Sequence, residues 1–289
     1  VALVGVNVIM ARSSIAGGVK ANFGGDVLAS SSFKVVATGG NTVDARTPVT
    51  AVGLGAINIS QTHALITDDA DVTASKTGST TTSGAFEVRA TSAGNSATAD
   101  SQMVAVGLGA GNGSGLFAYI GGAVSATSSG NVTGASGTAK VTAQGGNEAT
   151  AISQMVAVGL VAVNAAASTA DQETEAKAAG TGDAGATARV AIGADVVADV
   201  VNGVWDVPNA AITVQANGKH VFGGNRATAS SAGVGVALVA VNVIVAKAEI
   251  GGAVRANFSA NVNGSSGFTV DADGDNKVDA DTPVVAVGL

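Results

Sequence analysis

The residues best suited to chemistry form the acidic run Asp271-Ala-Asp-Gly-Asp-Asn-Lys-Val-Asp-Ala-Asp281. Its first, third, fifth and ninth positions are Asp271, Asp273, Asp275 and Asp279, the alternation by which a calcium loop surrounds a hard cation with oxygen ligands. Two positions depart from such a loop. The sixth is Asn276 rather than Gly, and the twelfth is Thr282 rather than a bidentate Glu. The matching earlier segment, Val36 to Asp44, keeps the flanking pattern and lacks most of the carboxylates, so the turn forms without metal. A solvated acidic turn is therefore the competing reading, and calcium is the one cofactor the sequence admits.

Little else points to catalysis. His63 and His220 are the only histidines, and with no cysteine they have no obvious metal or nucleophile partner. Each is expected on an outer strand or loop. Gly107-Leu-Gly-Ala-Gly-Asn-Gly-Ser-Gly115 looks superficially like a phosphate-cradling loop, but it fails the dinucleotide spacing and sister segments replace it with plain Val/Ala strand. An enzyme needs convergent acid, base or nucleophile groups, and the sequence offers none.

Composition narrows the class. Hydrophobic residues make up 46% of the 289, aromatics 3% and charged residues 12%, with 41 glycines. Such a chain is too apolar for disorder, and its glycines lack the collagen period. A Val/Ala core is thin and must be closely layered. The net charge of −7, with no basic stripe, argues against nucleic acid as a partner. The longest apolar runs, near 155–167 and 234–246, are interrupted by Asn and too short to span a bilayer as helices.

The elements that position these residues are repeats. Residues 1–54 match 236–289 without a gap, identical at 33 of 54 positions. A Val-rich segment with a fixed asparagine recurs, giving Asn7, Asn58, Asn112, Asn164 and Asn242 at spacings of 51, 54, 52 and 78. A second marker, a small turn ending in Asn, gives Asn41, Asn95, Asn147, Asn225 and Asn276, and it precedes the strand asparagine by 17 residues in every complete case. A period near 52 signals a solenoid. The long interval exceeds the others by about half a unit, which suggests two coils per unit. Segments such as Phe86-Glu-Val-Arg-Ala and Phe268-Thr-Val-Asp-Ala alternate with period two, as strands do. The expectation is an all-β, parallel β-solenoid over 1–289, a piece of a longer array, with an irregular insertion at 165–211. Within the insertion, Ala165–Ala179 could form a helical excursion and Trp205 could plug or cap. Gly-Asn corners could also close antiparallel hairpins, which would give a stacked sandwich or barrel.

The repeated strand is apolar on both faces and should be covered on both. Val104, Val106, Leu108, Ala110 and Asn112 are expected inside, where the five strand asparagines form an amide ladder. The other face, Gly or Ala in two units and Val239, Val241 and Val243 in the last complete one, is left to pack against another layer or copy.

The cadence Val236-Ala-Leu-Val-Ala-Val-Asn-Val-Ile244, then Ala248-Glu-Ile-Gly-Gly-Ala-Val254 and Phe268-Thr-Val-Asp-Ala, resembles the β-strand repeats of very large bacterial surface proteins, the filamentous-haemagglutinin and leukotoxin-type adhesins. The likeness covers nearly the whole chain apart from 165–211. It implies a secreted, cell-surface solenoid acting as a fibre or as the stalk of an adhesin, and it transfers no active site. Three functions follow as expectations: a self-associating extracellular filament or sheath, a stalk whose recognition lies elsewhere, or a calcium- or ice-binding solenoid. No regular outward Thr array supports ice binding. A host or cell-surface ligand is not identifiable.

Overall fold

Five coils of parallel strands stack into a solenoid in the computed structural model, which describes residues 2–165 and 188–288. No helix occurs among the described residues. Asn7 lies beside Asn58, Asn58 beside Asn112, Asn112 beside Asn164 and Asn164 beside Asn242, all in parallel register. Successive units are therefore direct neighbours. Each unit is one coil of about 52 residues, not two, because a half-unit coil would have to lie between these partners and none does. Parallel sense removes the hairpin alternative.

Each coil has three walls. The first runs through residues 33–52 and bends near Gly39–Asn41; the second returns along 55–66; the third is the short strand Val72–Thr77. The third wall stacks as a separate five-stranded sheet, while the first two share strands such as Phe33–Ile66 that pass round the corner. Corners need close backbone approach. A Cβ on Gly107 would lie 2.3 Å from the Gly53 carbonyl oxygen, and one on Gly159 2.1 Å from that of Gly107.

The long fourth interval is a set of local additions. The offset between neighbouring coils grows from 52 at Asn164 to 72 at Ala188, 73 at Trp205 and 78 at Arg226. Most of the addition lies at 166–187, where the suggested helical excursion falls outside the described residues. Within the expected irregular stretch 165–211, Ala188–Ile192, Val196–Asn202 and Val204–Asn217 pair as coil strands, with register shifts between Val200 and Asn202, Trp205 and Asp206, and Val207 and Ala211. Backbone pairing to the coils on either side overrides their irregular sequence.

The core divides by wall spacing. Between first and third walls it admits large side chains, with Phe33 stacked on Phe86 at 5.4 Å and Phe86 edge-on to Trp205 at 5.4 Å. Trp205 is fully buried here and also meets Phe258, so it is a core residue rather than a cap. Toward the Leu108 corner the walls converge, and only alanines fit: Ala51, Ala105 and Ala157 face Ala56, Ala110 and Ala162. Just before that corner, size is conserved across the gap. Met103 opposes Ser114's level in one coil, whereas Gly233 opposes Ile244 in another, where a Cβ on Gly233 would meet Ile244 Cδ1 at 2.3 Å.

Candidate assembly face

The strand asparagines point inward and bond as a ladder. Nδ2 of Asn7 donates to Oδ1 of Asn58 at 3.0 Å, Asn58 to Asn112 and Asn112 to Asn164 at 2.9 Å, and Asn164 to Asn242 at 2.8 Å. Each amide also donates across the interior to the facing wall, as Asn112 does to the Val156 carbonyl at 2.8 Å. A buried amide is tolerated only when its groups are paired, and here each coil pairs the next.

A second ladder was not legible as one. Asn41, Asn95, Asn147, Asn225 and Asn276, read from sequence as turn residues, donate Nδ2 to Oδ1 in the same direction at 3.3, 3.0, 2.8 and 3.0 Å. Only Phe222 among described non-glycine residues has positive φ, so these asparagines are not the residues that turn the chain. The constant 17-residue separation was the available signal. It measures the path from one ladder to the other.

The corner between the ladders reverses the expected faces. Val104, Val106 and Leu108 are 37, 38 and 54% exposed, while Ala105 is buried. Ala110 and Asn112 do point inward. Alternation therefore does not run through: the bend at Gly107–Leu108 shifts parity by one, so the larger residues before it face out. In each of the five coils an outward leucine stands four residues before the strand asparagine, Leu3, Leu54, Leu108, Leu160 and Leu238, all about half exposed or more. The repeated small residue at 51, 105 and 157 was the sequence signal for the inward row.

Beyond the corner the outer face is apolar and uncharged. Val161, Val163, Ile57 and Ile59 are 47, 37, 43 and 44% exposed in inner coils, and Val239, Val241 and Val243 continue the rows at the last coil. No ionisable residue occurs at 52–59, 106–113, 158–165 or 236–243. Charges sit elsewhere: Lys34 pairs with Glu87 at 3.2 Å on the first wall, and Lys219 with Asp273 at 2.7 Å. The Asp273 carboxylate holds the exposed Lys219 ammonium above its ordinary pKa.

The remaining candidates are scattered. Asp271 and Asp273 end one strand, Asp279 lies in the next and Asp275 in the turn between them. Asp271 accepts from Gln215 Nε2 at 3.1 Å and Asp273 is engaged by Lys219. Among the described residues no three His, Cys, Asp or Glu gather as a metal would require. His63 lies on the second wall edge-on to Phe117, and His220 in the turn after Asn217. Gly107–Gly115 is corner and strand. Among the described residues two ionisable groups are unusual: Tyr119, whose hydroxyl donates to Asp68 Oδ1 and is held above its ordinary pKa first by burial, and Lys76, fully buried against Phe86 with Nζ donating to the Gly78, Ser129 and Asn131 carbonyls. Burial lowers its pKa to about 8, partly offset by Asp26. Comparison with protein-family models, curated proteins and solved structures finds no match for this chain.

Proposed function

We propose that this chain is a structural protein of the cell exterior, building a fibre, sheath or filament by stacking and lateral packing of solenoids. The observation that carries the reading is the uncharged face formed by the leucine corner and the Val/Ile rows beside it. A monomer that stays in water has reason to break so regular an apolar strip with charge, and this one does not. Stacking has its own support. Both asparagine ladders donate in one direction, so a further coil continues them without a change of chemistry.

The surface and cell-exterior part of the reading rests on the resemblance to filamentous adhesin repeats. The face itself is tested by Val239→Lys with Val241→Lys. Both side chains are exposed, so the coil keeps its fold by circular dichroism while assembly, followed by light scattering at increasing concentration, is lost. Assembly unchanged in a folded double variant would refute the role of the face.

A further inference from the structure

The apolar face carries a trough, and its floor is glycine. Gly109, Gly111 and Gly113 of the third coil lie between Ile57 and Ile59 of the second and Val161 and Val163 of the fourth. Among the described residues nothing requires glycine there. A Cβ on Gly109 would meet no atom within 4 Å, and on Gly111 or Gly113 the nearest lies at 3.6 Å, ordinary contact. All three are free of the positive φ that would demand glycine. Sister coils fill the same rows with Val or Ile except at Gly55 and Ala165. No described neighbour within the coil accounts for the missing side chains.

Resting on the lateral-packing reading above, the geometry points to a second copy of this chain as the occupant, docked antiparallel. A two-fold axis in the interface plane, parallel to the strands and midway between third and fourth coils, sets the third coil of each copy against the fourth of the other. Val161 and Val163 of one copy then enter the Gly109–Gly113 trough of its partner, and the reverse contact follows by symmetry. The same operation sets the second coil against the fifth, Ile57 against Val241. The operation overlaps coils two to five of each copy. At ~4.8 Å per coil and ~3.3 Å for each of the eight positions from Val52 to Ile59, the shared strip is roughly 500 Å². That is just under the roughly 600–1,000 Å² one partner contributes to a standard interface, the size of a weak, concentration-dependent association. With no charge on the strip, no like-charge pair opposes the approach.

The chain has no cysteine, so paired cysteines report the arrangement directly. Ile57→Cys and Val241→Cys chains are purified separately, mixed and oxidised gently. The expected product is the mixed disulfide dimer. Ile57→Cys alone should cross-link poorly, because equivalent second coils lie three coils, about 14 Å, apart. In parallel, Gly109→Val with Gly111→Val fills the trough as the sister coils do, and should weaken self-association at least tenfold in sedimentation equilibrium while leaving circular dichroism unchanged. Absence of the mixed dimer, or full association with the trough filled, overturns the docking mode. If the Val239→Lys, Val241→Lys chain has by then lost assembly, lateral packing stands with another geometry. If that chain also associates normally, both readings fall.

Discussion

Asn112 is the position at which the ladder can be priced. Its amide donates to Asn164 Oδ1 at 2.9 Å and to the Val156 carbonyl at 2.8 Å, and its oxygen accepts from Asn58 at 2.9 Å. The residue is buried. Asn112→Ala leaves Asn164 Oδ1 and one Asn58 N–H without partners in a site water does not reach. At about 1–3 kcal/mol for each orphaned buried group, the loss is about 2–6 kcal/mol. Asn7→Ala, in the first coil, orphans only Asn58 Oδ1 and removes a less buried side chain, so its cost should be under half of that. Urea unfolding followed by circular dichroism, with equal m-values for the two variants, measures both. A loss below about 0.5 kcal/mol at Asn112, or equal losses at both positions, would refute the claim that the ladder holds successive coils together.

Two further outcomes follow from the core. Gly233→Met forces a side chain into Ile244 and should cost about 1–3 kcal/mol, whereas adding Ile244→Ser recreates the Met103-type coil and should recover most of it; additivity in the double-mutant cycle would contradict the packing assignment. Lys76 has a folded pKa of about 8 against 10.5 for a free lysine, so between these values the unfolded chain holds more protons. Its contribution to stability is therefore present above pH 10.5 and lost as pH falls through 8, and the wild type should gain up to about 3 kcal/mol over that window relative to Lys76→Met. Parallel pH dependence of the two proteins in urea unfolding would show that Lys76 does not carry the effect.

Much of the architecture could be read from spacing. The asparagine intervals mark the coil because each amide bonds to its copy in the next turn and so recurs once per coil. Face assignment could not be read the same way. Period two gives orientation only along an unbroken strand, and the Gly107–Leu108 corner breaks it with no Pro or turn dipeptide to announce the change. The second ladder hid behind a similar ambiguity, since Asn after Gly-Gly suits a turn as well as an interior amide. Trp205 was misplaced because its segment lacks the repeat's sequence, yet pairing with the coils on either side draws it into the aromatic core. The candidate face was legible in part. Val239, Val241 and Val243 do point out, but the leucine corner that doubles the face was assigned to the interior.

Electron cryomicroscopy of the purified chain at high concentration tests the central claim most directly. The account predicts ordered filaments or paired rods in which solenoids meet through the Leu54–Leu108–Leu160 corner and the Val/Ile rows beside it. Separate single rods at every concentration, with that face bare, would contradict it and leave the chain as a spacer whose function lies outside these residues.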